Sequence, residues 1–400
     1  MKLDITLIST ADWDNPFWTN KQHVACELAR CGHRVLYVES LGLRRVSATA
    51  HDLSRIWGRL RKGLRPPRQV RDNLWVWSPL VIPMQRLSIV RTLNRLLFGL
   101  FLRLWSRVLG IRRELLWTYY PLTTRYLTID GFGYCVYHCV DEVKAQPGMP
   151  VEEIETAEND LVRQCDVCFV TAENLLASRK RLNPNTHYFP NVADFAHFAT
   201  ARSESTAIPS DLLALPAPRV GFIGAISSYK LDLELLARMA QRHPEWSIVM
   251  IGKIGEGEPW TDISSIEGLP NIHLIGPRAY TELPGYLKGF DVAILPSALN
   301  DYTMNMFPMK FFEYLAAGKP VVSTDLHALH GHRHVATLAS NSEAFIAGVE
   351  AALRGEGPSL EARLDAAREQ TYQRRTSRMM ALVEGGMKEK SMAAASSRLA

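Results

Sequence analysis

DYTMNMFPMKFFEYLAAGKPVVST, residues 301–324, sets a helix and a buried strand on either side of one glycine. Pro308 suits the first turn of a helix, where its fixed φ and missing N–H are no handicap, and MKFFEYLAA then runs helical until Gly318 stops it. The strand 319–323 follows at once. In an open α/β sheet, a loop feeding a helix start beside strand ends offers backbone N–H groups and a positive dipole end to a phosphate. Met306, Phe307, Met309 and Lys310 stand at that entrance. Glu313, about one turn further in, can accept hydrogen bonds from a pair of sugar hydroxyls on the same ligand. The local chemistry suggests a nucleotide-sugar pocket.

Working outward, 291–295, 271–276 and 247–251 read as strands, and the glycine-containing loop 252–257, opening on Gly252, is of the kind that faces a base or simply makes a tight turn. Residues 220–225 form a strand ending at Gly224, and the loop 226–230 leads into a helix through Arg242. Lys230 at that helix entrance is placed to stabilise a departing diphosphate. The amino-terminal half repeats the alternation: strand 3–9, helix 21–31 capped by Asn20, strand 33–39, and strands ending at Pro121 and Glu142. His138 and Asp141 can orient or deprotonate an acceptor hydroxyl there, or be a structural histidine and a capping aspartate. A helix over 151–164 and a strand over 165–171 complete the half. Such alternation predicts an α/β chain of two doubly wound domains. The expected domains are 1–200 on the acceptor side and 219–372 for the donor, joined by a Ser-, Ala- and Pro-rich linker 201–218. A terminal helix 373–387 follows, and 388–400 is a flexible tail.

The stretch resembles the carboxyl-proximal signature of GT-B retaining glycosyltransferases of the family 4 kind: Glu, seven residues, Glu, a small-residue run, then Gly-x-Pro-Val-Val. Glu313, Ala316, Ala317, Gly318, Pro320, Val321 and Val322 match it, whereas Asn305 occupies the first carboxylate's position. By that resemblance Glu313 addresses the ribose and position 305 the transferred sugar. Gly224 and Lys230 keep the family's Gly-Arg, four residues, Lys spacing, with Ala225 in place of the arginine. The opening strand, loop, helix and Gly-His-x-Val also resemble the family, but Pro16, Phe17 and Trp18 replace its glycine pair. The resemblance implies a GT-B fold, two Rossmann-like domains facing a central cleft, with the terminal helix 373–387 packing back on the first domain, and transfer with retained anomeric configuration and no obligatory metal or other cofactor.

Charge adds what the motif lacks. Residues 43–113 hold sixteen Arg or Lys against Asp52 and Asp72, so this part carries +14 of a net +5 and the remainder about −9. Arg91, Arg95, Arg103 and Arg107 recur at multiples of four among leucines, an amphipathic pattern whose longest uncharged run, 96–102, is far short of the ~20 residues that cross a bilayer. The expected partner is an anionic membrane surface; no nucleic-acid motif is present. Cys135, Cys139, Cys165 and Cys168 fall in strand-like runs rather than knuckle turns and read as buried thiols, and the histidines 327, 330, 332 and 334 are not read as a metal site. No charged-then-apolar segment opens the chain, which predicts a cytoplasmic protein, peripheral on the inner face of the plasma membrane. The reading is a glycosyltransferase acting on a lipid-linked or polysaccharide acceptor in cell-surface polysaccharide biosynthesis. A nucleotide-sugar epimerase and a non-catalytic nucleotide-sugar-binding scaffold are the alternatives.

Overall fold

The computed structural model describes the chain apart from residues 16–17, 43–61, 64, 83–86, 257 and 400 and the side chains of 397–399. Pro16, Phe17 and the opening of the basic segment, 43–61, therefore lie outside the described residues, as does Gly257. The chain divides into two compact units, Met1–Phe189 with Arg375–Ala400, and Pro190–Arg374.

In the first unit β1 (Asp4–Ile8), β2 (Arg34–Val38), β3 (Arg68–Arg71), β4 (Leu74–Trp77), β5 (Leu115–Thr118), β6 (Tyr134–Cys139), β7 (Val167–Val170) and β8 (Thr186–Tyr188) form one sheet, ordered 3-4-2-1-5-6-7-8. All neighbours run parallel except β3 with β4. The apolar runs that announced β1, β5 and β6 are buried throughout, as parallel strands covered on both faces must be. The β3–β4 hairpin was hidden inside the basic segment. Its signal is Asp72-Asn73, and Asn73 takes the positive φ of 59° that a tight turn needs. The first helix spans Asn20–Arg30, with Thr19 rather than Asn20 at its cap: Gln22 Oε1 accepts the Thr19 N–H at 3.1 Å. Asn20 is instead buried, accepting from Arg375 at 2.7 Å.

The second unit holds β9 (Arg219–Ile223), β10 (Ser247–Ile251), β11 (Ile272–Leu274), β12 (Val292–Leu295), β13 (Val321–Thr324) and β14 (Thr337–Ala339), all parallel and ordered 11-10-9-12-13-14. The winding reverses between β9 and β12. Open α/β sheets bind ligands at such a switch point, outside the carboxyl ends of the strands. The loops leaving β9 and β10 cross closely there: a Cβ on Gly252 would fall 1.7 Å from the Gly224 carbonyl oxygen. Gly252 thus has a packing reason to be glycine, and Gly224 has its own, the Phe222 ring 2.7 Å from where its Cβ would sit. Gly318, at φ 80°, ends the helix of the opening motif as its sequence predicts.

Residues 201–218, read as a linker, are structured. Ile208, Leu212 and Leu215 recur at helical spacing, and the helix Ser210–Leu213 seats a fully buried Leu212 in the core with Tyr286 and Leu287. Four large apolar residues, Ile208, Leu212, Leu213 and Leu215, among Ser, Ala and Pro were too sparse to register as a pattern. The tail is also ordered, as one helix from Tyr372 to Leu399 whose Ala-rich end suits helix, and Lys390 Nζ meets Asp166 at 2.7 Å within the first unit.

Candidate active site

At the switch point of the second unit, the loop after β9 is tied to the loop after β12 by three bonds. Asp232 N–H donates to Pro296 O at 2.9 Å, Ala298 N–H to Lys230 O at 3.0 Å, and Asn300 Nδ2 to Tyr229 O at 2.8 Å. Lys230 N–H also donates to Ser227 O at 3.0 Å, so the backbone of this residue is fixed on both sides. Its ammonium lies 5.3 Å above the Tyr229 ring, and the side chain is half-buried. The helix it precedes, Leu233–Arg242, is capped by Asp232, whose carboxylate accepts the Leu235 N–H at 2.8 Å. The sequence reading missed Glu258. This buried carboxylate accepts from Ser228 Oγ and Thr261 Oγ1 at 2.7 Å each and from the Tyr229 N–H at 3.3 Å, bracing the Lys230 loop from the β10 side.

The opening motif packs beside this loop. Asn300 caps a short helix, Asp301–Met304, and Asn305 follows at its end, its amide donating back to Asp301 O at 2.7 Å. The position of the missing carboxylate is therefore spent on local capping. Met306, Met309 and Lys310 are half-buried, whereas the Phe307 ring is fully buried among Phe311, Phe312 and His332, and its carbonyl accepts from Asn191 Nδ2 at 2.6 Å. Phe307 thus holds the entrance from behind through the core, and only its backbone remains a candidate for donor contact. The helix Lys310–Ala316 is fastened to β9 by Tyr314 Oη, which accepts the Ile223 N–H at 2.8 Å. Glu313 is 4% exposed and paired with Lys310 Nζ at 2.8 Å, one turn back. Burial pushes its carboxyl up, and the Lys310 charge only partly offsets this.

That raised pKa has a testable sign. A carboxyl whose folded pKa exceeds its unfolded one contributes most stability at low pH and loses it as pH rises through the folded pKa. Glu313→Gln is therefore expected to melt no lower than wild type at neutral pH, with its relative advantage growing from acid toward neutral pH. The same change should raise the donor KM about 10- to 100-fold, the worth of hydrogen bonds to a charged group. A variant that melts lower at neutral pH with unchanged donor KM would make Glu313 a packing residue only.

In the first unit His138 is fully buried on β6, stacked 4.7 Å from Tyr119 and edge-on to Trp117 and Phe169. Neither ring nitrogen has a hydrogen-bond partner among the described residues. Burial, reinforced by Arg375 and Lys21, holds the imidazole well below its usual pKa and therefore neutral. The expectation that His138 faces an acceptor is corrected: an aromatic box encloses it, because β6 is flanked on both sides within the sheet. Asp141 lies beyond the strand end and is half-buried. Next to it, unforeseen, is a buried ion triad. Arg179 Nη2 donates to Glu142 Oε1 and Glu158 Oε2 at 2.9 Å each, and Tyr137 Oη donates to Glu158 at 2.6 Å. A cavity of about 290 Å³ opens where β1, β2 and β4 end, lined by Asp14, Glu39, Lys62, Arg65, Arg68 and Ser78. The four cysteines of the strand-like runs are buried free thiols, and no group of three or more His, Cys, Asp or Glu is placed to hold a metal among the described residues.

Two open, largely parallel sheets, each with its helices and its own switch point, define an α/β fold of the GT-B class. Residues 217–354, which lie within the second unit, match the family described as Glycosyl transferases group 1. Over 109 residues the chain is 38% identical to TuaH of Bacillus subtilis (strain 168), named, provisionally, as a teichuronic acid biosynthesis glycosyltransferase; the match spans 27% of this chain and 26% of TuaH. Sucrose-phosphate synthase from Thermosynechococcus elongatus superposes with a TM-score of 0.69 at 17% identity, over 96% of this chain and 99% of that one. Anabaena HepE, solved in complex with UDP and glucose, superposes with a TM-score of 0.64 at 14% identity, over 95% and 99% of the two chains.

Proposed function

We propose that the chain transfers a glycosyl group from a nucleotide-sugar donor, held by the second unit, to a lipid-linked or polysaccharide acceptor in cell-surface polysaccharide biosynthesis. The observation that carries this reading is the convergence at one switch point of the braced Lys230 loop and the Glu313 helix, tied to β9 by Tyr314. The name of TuaH supports the polysaccharide destination, and the UDP and glucose of HepE support the donor class. In the reaction the bond from the anomeric carbon to the diphosphate oxygen breaks as one to the acceptor oxygen forms, with retained configuration. Lys230 and the backbone near Met306–Met309 stabilise the departing diphosphate, Glu313 holds the ribose, and Asp141 is the acceptor-side carboxylate that takes the hydroxyl proton. Lys310, whose ammonium is engaged by Glu313, offsets part of the burial that disfavours the charge on that carboxylate.

Isotope transfer tests the proposal directly. Incubating the chain with radiolabelled nucleotide sugars and bacterial membrane extract should move label into lipid or polymer. Isomerised donor without transfer would replace the reading by an epimerase, and donor binding without turnover by a scaffold.

A further inference from the structure

The helix Ser88–Leu109 is buried along one row, Asn94, Phe98, Leu102 and Ser106. Its opposite side is apolar as well: Ile89, Leu93, Leu96, Leu100, Leu104 and Val108 are between 43% and 79% exposed. Single exposed leucines are ordinary on a protein surface, but six along one helix are a continuous strip. Arg91, Arg95, Arg103 and Arg107 are exposed on the same helix; at about 100° per residue they wind from the side of the buried row to the strip itself, which Arg103 and Arg107 border. All four charged residues of the helix itself are these arginines, and it carries no Asp or Glu.

We propose that this strip docks the first unit on an anionic lipid bilayer, with the leucines entering the boundary between headgroups and acyl chains and the arginines meeting lipid phosphates. No helix among the described residues is long and apolar enough to cross a membrane, so the helix lies in the interface. Charge selects the bilayer over a second copy docked through the same helix, which would bring four more arginines and no acid of its own. The inference stands on exposure and charge and is independent of the transferase reading.

Flotation of the full chain with vesicles is the test. Wild type should float with phosphatidylcholine vesicles containing phosphatidylglycerol, and far less with phosphatidylcholine alone or in high salt. A variant with Arg91, Arg95, Arg103 and Arg107 replaced by Gln should lose about fivefold in partition per arginine. Replacing Leu96, Leu100, Leu104 and Val108 by Ser should abolish flotation with an unchanged melting temperature, since these side chains lie outside the core. Wild type indifferent to the anionic lipid would overturn the proposal. So would a wild-type dimer in solution that the Ser variant converts to monomer, because the strip would then be an interface between copies.

Discussion

Lys230→Ala is expected to lower kcat about 10²- to 10³-fold, the usual loss when one preorganised donor to a developing negative charge is removed. The fold should survive. The residue's N–H and carbonyl are held by Ser227 and Ala298, and those backbone bonds do not depend on the side chain. The donor KM should change less than kcat, because charge on the diphosphate grows as the glycosidic bond breaks and the ammonium matters most at that moment. Lys230→Arg keeps the charge and should recover part of the rate. Steady-state kinetics on the donor identified by isotope transfer measures both, and a fully active Lys230→Ala enzyme would remove the residue from the mechanism.

Arg179→Met is expected to destabilise the first unit by about 3–5 kcal/mol, the range for stripping one member from a buried ionic group. Glu142 and Glu158 would be left facing each other without their shared cation, in a site where both are buried. Urea denaturation followed by tryptophan fluorescence reads the loss as a lower midpoint. Adding Glu142→Gln and Glu158→Gln to Arg179→Met should restore much of it, since neutral amides do not need the guanidinium. An unchanged midpoint in the single variant would show that the triad relaxes to solvent and carries no stability.

Much of the candidate donor site was legible because its signals are local. Pro308, the apolar run and Gly318 specify a helix and its stop through φ preferences that act within a few residues. Glu313 and Lys310 are three apart, so their pairing is a property of helix geometry alone. Glu258 was not legible. Its partners Ser228 and Tyr229 are about thirty residues away, and only the adjacency of β9 and β10 brings them together. The Arg179 triad was hidden for the same reason, joining the loop after β6 to two separate helices.

By itself, the sequence determined the order of the central strands and their helices, the two-sheet α/β class and the motif from Glu313 to Val322, because apolar runs, periodicity and glycine stops are encoded residue by residue. Tertiary structure alone decided which chemistry faces outward. His138 ends inside an aromatic box because β5, β6 and β7 are neighbours, a fact no strand states about itself. The helix Ser88–Leu109 is apolar on two sides, and its sequence does not rank them. The sheet took the row of Asn94, Phe98, Leu102 and Ser106, and burying that row is what left the leucines beside the arginines in solvent.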